Sequence, residues 1–316
     1  MELQARYRGC LLGVATGDAV GTTLEFKSPG SFIPIDDMVG GGEFRLRPGE
    51  WTDDTAMTLC LAESLVESHG FHPRDQMKRY VRWLREGRMS STGEAFVVGN
   101  TIQKALEDFE RHDNPFAGPT DERSSGTGSI MRVAPIALYF RKAPAQAIHL
   151  AGESSRTTHG SRICIDACRY YTAILVGLLE GRPIDEVLSP SFSPVPNTFT
   201  EHPLHPLIAE VAEGSFKRRE PPTIRGEGFV VRALEAVLWG LHKAQASGGD
   251  FRAALLRVVN LGDDADTCGA MFGALAGAAW GEGSIPERWR LKLAKRPTLE
   301  RLADELCKAS EAPTLP

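Results

Sequence analysis

Apolar residues recur at three- and four-residue steps almost throughout this chain, and hardly anywhere at every second residue. Segments 7–16, 55–68, 74–86, 101–109, 143–152, 163–180, 230–246, 251–259, 267–280 and 299–308 all carry that spacing, which turns one face of a helix toward a core. Little material is left for a sheet. The expected fold class is therefore all-α, a compact body of many short helices rather than a repeat array. A length of 316 residues, 42 % of them hydrophobic, supplies a sizeable core and fits one domain over 1–316. The long break is 189–222, where "SPSFSPVPNTFTEHPLHP" is too rich in proline for a continuous helix. It reads as a Pro-rich surface loop with a short helix surviving at 207–213; a lid over a site is the alternative.

A formal net charge of −5 provides no basic field for a nucleic-acid backbone. Cys10, Cys60, Cys164, Cys168, Cys268 and Cys307 are scattered, mostly within apolar helical patterns. That suits reduced thiols packed as small hydrophobes, and a cytoplasmic location is expected. The early apolar run 10–15 lies between Glu2 and Asp18, and no stretch reaches membrane-spanning length. Neither export nor a membrane partner is expected.

Two short segments hold more negative charge than a helix start requires. Thr52, Asp53 and Asp54 stand directly before one strongly apolar helix, and Asp263, Asp264, Asp266 and Thr267 open another made of small residues, "GAMFGALAGAA". For either segment alone, capping of the helix N-terminus is a sufficient explanation. One cap needs one acid, however, and surplus carboxylates repel one another unless a cation compensates. Two such clusters point to a shared metal. The donors are oxygens, with no His or Cys at ligand spacing, so a hard ion is expected: Mg²⁺ or Mn²⁺ ahead of Ca²⁺, with Zn²⁺ disfavoured. Together the segments hold enough oxygens for two ions.

Two further segments suit a ligand cradle. "SSGTGSIMRVAP" at 124–135 places Gly126 and Gly128 ahead of Ser129 and an apolar run, so free backbone amides could face a phosphate; a plain turn is the alternative. "GDAVGTTLEF" at 17–26 carries Asp18, which reads as a helix-end cap, and Glu25, which reads as solvent-exposed. His159 in "SSRTTHG" stands alone, and by itself is as compatible with a structural role as with ligand contact.

Taken in order, "GDAVGTTLE", "WTDDTAM", "GTGSIMRVAP", "TTH" and "LGDDADTCGAMFGALAGAAWG" resemble the motifs of the ADP-ribosylglycohydrolase family, over roughly residues 5–310. "SSTGEAFVVGNTIQKAL" and "GEGFVVRALEAVLWGL" look most like its bacterial dinitrogenase-reductase-activating glycohydrolase branch. The resemblance implies an all-α orthogonal bundle with a binuclear Mg²⁺ or Mn²⁺ centre in a central cleft. It implies metal ligation by Thr52, Asp53, Asp54, Asp264, Asp266 and Thr267, and catalytic roles for Glu25, Asp54 and Asp266. Gly126, Thr127, Gly128, Ser129, Met131, His159 and Asn100 would bind the substrate's diphosphate and ribose, and Phe229 would stack on its adenine. Asp263 would support the ligands. The implied reaction is hydrolysis of the glycosidic bond between ADP-ribose and a modified protein side chain, with arginine favoured and ADP-ribose released. One departure bears on the linkage: the arginine-specific branch commonly has Phe-Asp-Ile-Gly-Asn where this chain has Phe96, Val97, Val98, Gly99 and Asn100. The alternatives are a serine, nucleic-acid-base or small-molecule linkage, or a member that binds metal and ADP-ribose without turnover.

Overall fold

The computed structural model describes residues 1–96 and 98–311. Among them the regular structure is helical: α1 (Leu3–Gly21), α2 (Asp53–Glu67), α3 (Pro73–Glu86), α4 (Asn100–His112), α5 (Ala134–Tyr139), α6 (Pro144–Arg156), α7 (Arg162–Leu179), α8 (Ile184–Val187), α9 (Thr198–Glu201), α10 (Pro206–Ala212), α11 (Val230–Ala246), α12 (Phe251–Val259), α13 (Ala265–Trp280), α14 (Glu287–Arg290) and α15 (Arg296–Glu311). Strand-type pairing is confined to two isolated bridges, Gly41 with Leu46 and Gly126 with Phe229. The all-α expectation holds. Local chemistry sets many of the boundaries. Proline opens α3, α6 and α10, where its missing N–H costs nothing. The Ser161 hydroxyl accepts from Cys164 N–H at 3.2 Å to start α7, and Asp250 does the same for Ala253 N–H at 2.9 Å to start α12.

α1 and α13 form the axis of the molecule, and both are buried along nearly their whole length. They run antiparallel with glycine against glycine: Gly9 faces Gly277, Gly13 faces Gly273 and Gly17 faces Gly269. A Cβ on Gly13 would sit 2.0 Å from the Gly273 carbonyl oxygen, and one on Gly17 would sit 1.8 Å from that of Gly269. Only glycine lets the two backbones approach this closely. At the far end of the pair, Arg6 Nη1 donates to the carbonyls of Ala278 (2.7 Å), Ala279 (2.9 Å) and Leu178 (3.1 Å), satisfying the C-terminal ends of α13 and α7 together. At the near end, the last turn of α1 lies beside the first turn of α13: a Cβ on Gly21 would reach the Ala265 carbonyl oxygen at 2.2 Å. That is the end where the acids stand.

Segment 189–222 is a surface connection. It contains α9 and α10, so the expected helix at 207–213 is present, beginning at Pro206. Arg169 of α7 holds the segment by donating to the His202 carbonyl at 3.1 Å, and Arg162 holds it through the Pro203 carbonyl. None of its residues lines the cavity described below. All six cysteines are free and five are buried. Among the described residues, no helix is long and apolar enough to cross a membrane.

Candidate active site

Asp18, in the last turn of α1, accepts four hydrogen bonds from the start of α2. Its Oδ1 takes Thr52 N–H (2.9 Å) and Thr52 Oγ–H (3.0 Å), and its Oδ2 takes Thr55 N–H (3.0 Å) and Thr55 Oγ–H (2.6 Å). Asp18 is thus a cap, but of a helix other than its own. The acids already on α2 are released from that task. Asp54 and Asp266 then meet Asp18, each offering a carboxylate oxygen within 4.8 Å of the others. On the α13 side, Asp264 is the N-cap residue, yet its carboxylate makes no capping bond and instead accepts from Thr127 Oγ at 2.8 Å. Asp263 adopts φ +55° and links two chain segments through its backbone: its N–H reaches the Lys27 carbonyl (2.8 Å) and its carbonyl receives Phe26 N–H (2.7 Å). That clasp holds the loop of Glu25 over α13.

The group is buried and overloaded with negative charge. Desolvation first, and mutual repulsion second, push the Asp53 carboxyl up to about 8 and hold Asp54 and Asp266 well above the usual carboxylate range. Burial also raises Asp264, and raises Asp18 to about 6 despite its four donors. Glu25 is not solvent-exposed as the sequence suggested; it is 5 % exposed. Burial, then the charge of Asp266, pushes it up to about 12.

A hard cation fits these residues. Thr52 Oγ lies 3.0 Å from Asp18 Oδ1, 3.1 Å from Asp54 Oδ2 and 3.3 Å from Asp266 Oδ2. One hydroxyl carries one proton, so lone pairs are left facing lone pairs. Asp54 Oδ1 and Glu25 Oε2 are buried with no hydrogen-bond partner among the described residues. Unpaired, converging oxygen donors of this kind suit Mg²⁺ or Mn²⁺.

Asp54 and Asp266 of this cluster line a cavity of about 670 Å³, which Asp18 and Thr52 do not reach. Glu25, Asp53, Asp54, Asp264, Asp266 and Thr267 line it together with Gly126, Thr127, Gly128, Met131, His159 and Asn100. Gly128 leaves room for a ring: a Cβ there would meet His159 Cε1 at 2.7 Å. Arg132 is fully buried and has no carboxylate partner among the described residues. It donates to the Gly128 carbonyl (2.8 Å) and to Thr158 Oγ (2.7 Å), and lies 4.6 Å over the Tyr80 ring. Thr158 Oγ also lies 2.9 Å from His159 Nδ1. The arrangement that gives the Thr158 proton an acceptor has it donate to Nδ1, which leaves the imidazole proton on Nε2. Burial, then the Arg132 charge, lowers His159 to about 3. Around neutral pH the ring is therefore an uncharged donor.

Two residues assigned to the substrate from the sequence stand elsewhere. Ser129 does not line the cavity. The turn at 127–131 brings Thr127, Gly128 and Met131 to it, while Ser129 Oγ faces inward to Ser155 (2.9 Å) and Cys168 (3.5 Å). The Phe229 ring is 36 % exposed and also does not line it; its backbone pairs with Gly126, and Glu227 and Gly228 supply that wall instead. Val97 lies outside the described residues. Asp18 is the residue the sequence undervalued, and the available signal was a carboxylate set inside an otherwise small and apolar helix.

The family model described as ADP-ribosylglycohydrolase matches residues 1–315. This chain belongs to the ADP-ribosylglycohydrolase family. Among ADP-ribosylglycohydrolase relatives, the ADP-ribosylarginine hydrolase Tri1 of Serratia proteamaculans is 36 % identical over 301 residues, covering 95 % of this chain and 78 % of the relative. The ADP-ribosyl-[dinitrogen reductase] glycohydrolase of Rhodospirillum rubrum is 30 % identical over 292 residues, covering 91 % and 90 %. A solved structure described as an ADP-ribosylglycohydrolase-related protein complex superposes with a TM-score of 0.84 at 40 % identity, covering 98 % of this chain and 99 % of that one.

Proposed function

We propose that this chain is a metal-dependent hydrolase that releases ADP-ribose from a modified arginine side chain of a protein, with residues 1–316 working as one domain. The observation that carries the reading is the meeting of carboxylates from two segments, one at the start of α2 and one at the start of α13, in the lining of a single cavity. The names of the Serratia and Rhodospirillum relatives support arginine-linked ADP-ribose as the substrate. Free cysteines throughout support a cytoplasmic location, and the acidic net charge supports a protein rather than a nucleic-acid partner.

Thr52, Asp53, Asp54, Asp264, Asp266 and Thr267 would hold two Mg²⁺ or Mn²⁺ ions. Cations held there would neutralise the carboxylates and supply the Lewis acidity that lowers the pKa of a nearby water. Asp18 keeps the Thr52 hydroxyl turned toward the cluster. The Gly126–Gly128 loop and the Nε2–H of His159 offer neutral donors to the diphosphate and ribose. Hydrolysis breaks the bond from the anomeric carbon to the guanidine nitrogen and forms one to a water oxygen, through an oxocarbenium-like state whose charge the carboxylates face. Asp54 or Asp266 takes the proton from the attacking water, and Glu25 delivers one to the departing nitrogen.

The test is release of ADP-ribose from a panel of linkages with Mg²⁺, Mn²⁺ or chelator. Asp54→Ala and Asp264→Ala are each expected to lower metal-dependent turnover by about 10²–10⁴-fold or more. Full turnover by either variant after metal is stripped away would refute the scheme. The sequence favours a second reading at one point, since Val97 stands where the arginine-specific branch commonly has an acid; turnover of serine, base or small-molecule linkages in place of arginine would select it.

A further inference from the structure

The residue after the buried acid Glu25 is an aromatic one in a conformation that aromatic residues avoid. Phe26 has φ +61° and is 65 % exposed. Neither property favours folding, because the left-handed region is strained for a side chain with a Cβ and an exposed ring forgoes its burial. The conformation is imposed by the neighbouring chain: Phe26 N–H binds the Asp263 carbonyl at 2.7 Å, and Asp263 N–H binds the Lys27 carbonyl at 2.8 Å. So fastened to the acidic start of α13, Phe26 lines the cavity beside Glu25.

Two more rings arrive from separate loops. Phe44 meets Phe26 edge to face, with centroids 6.2 Å apart at 75°, and Phe96 lies against Phe44 at 5.6 Å and 44°. Phe44 and Phe96 are partly buried, so they brace Phe26 while most of its surface stays open. An aromatic surface held at a cavity mouth against conformational preference is an outlier that calls for a ligand.

We propose that Phe26, braced by Phe44 and Phe96, is the platform on which the planar guanidinium of the modified arginine rests, making it a specificity-determining residue for arginine over hydroxyl linkages. This deepens the hydrolase reading above and rests on it. The place fits, because Phe26 adjoins the acid assigned to the leaving group. The chemistry fits as well: a guanidinium is planar, delocalised and weakly hydrated, and it stacks on aromatic faces, whereas a serine oxygen offers no such plane.

The experiment uses the full chain loaded with Mg²⁺, a peptide carrying ADP-ribosyl-arginine, and free ADP-ribose as competitor. Phe26→Leu keeps apolar bulk but removes the ring; Phe26→Tyr keeps the aromatic face. The expected result is a KM for the arginine-linked peptide raised about 2- to 30-fold by Phe26→Leu, unchanged inhibition by ADP-ribose, and a wild-type KM restored in Phe26→Tyr. An unchanged KM in Phe26→Leu overturns the platform, as does an equal weakening of peptide and ADP-ribose. Wild-type protein that releases nothing from arginine-linked peptide overturns the arginine reading itself, a result distinct from the other two.

Discussion

Carboxylates that repel in a buried site are held either by protons or by cations, and the two compete. Asp53 is pushed up to about 8 from an ordinary 3.8, and Asp18 to about 6. A group raised in the folded state contributes stability that is complete below its unfolded pKa and is lost as pH rises through its folded one. In metal-free protein this cluster's contribution should therefore fall between about pH 4 and pH 8. Thermal unfolding in chelator should show it, and the gain on adding Mg²⁺ should widen over the same range; a gain that shrank as pH rose would count against a carboxylate site. At this scale the sequence was legible in chemistry and blind in direction. Oxygen donors and the Gly126–Gly128 loop could be read from residue types in order. That Ser129 turns toward Ser155, that Phe229 leaves the wall to Gly228, and that Glu25 is buried depend on which way a turn faces, and residue type does not encode this.

Among the elements, α1 and α13 carry the site. Both are buried along nearly their whole length, as a helix apolar on every face must be. Their contact could be recognised only with both in view: glycines four apart on one helix meet glycines four apart on the other, and α1 delivers Asp18 to α2. Gly273→Val should accordingly separate the pair. Overpacking of this kind costs about 1–3 kcal/mol, and with backbone rather than a flexible side chain 2.0 Å from the new Cβ, the upper end applies. Denaturant unfolding measures the loss, and Mg²⁺ affinity should fall with it, since the same helix presents Asp264 and Asp266; a variant with wild-type stability and metal affinity would show that the close approach is dispensable. The shorter elements were less legible. α5, α8 and α14 span too few residues to express a period, and α10 could be anticipated only as a remnant between prolines.

For the molecule as a whole, metal binding and folding draw on one free energy. Cations that bind the folded cluster and not the open chain stabilise by mass action, about 2.7 kcal/mol at a hundredfold excess over Kd. Mg²⁺ or Mn²⁺ should raise the thermal midpoint in a concentration-dependent way, and Asp54→Asn should abolish the rise while making the metal-free protein more stable, because one buried repulsive charge is gone. An undiminished rise in that variant would place the ions elsewhere. The sequence by itself determined the all-α class, the apolar faces and the oxygen chemistry of the two acid segments, because periodicity and side-chain type act within a few residues. The tertiary structure alone decided that Asp18, Asp54 and Asp266 share a few ångströms of space, that the Pro-rich segment stays clear of the cavity, and that Phe26 stands at its mouth. Those outcomes follow from how closely two glycine-faced helices can pack, a property of the pair that neither segment states alone.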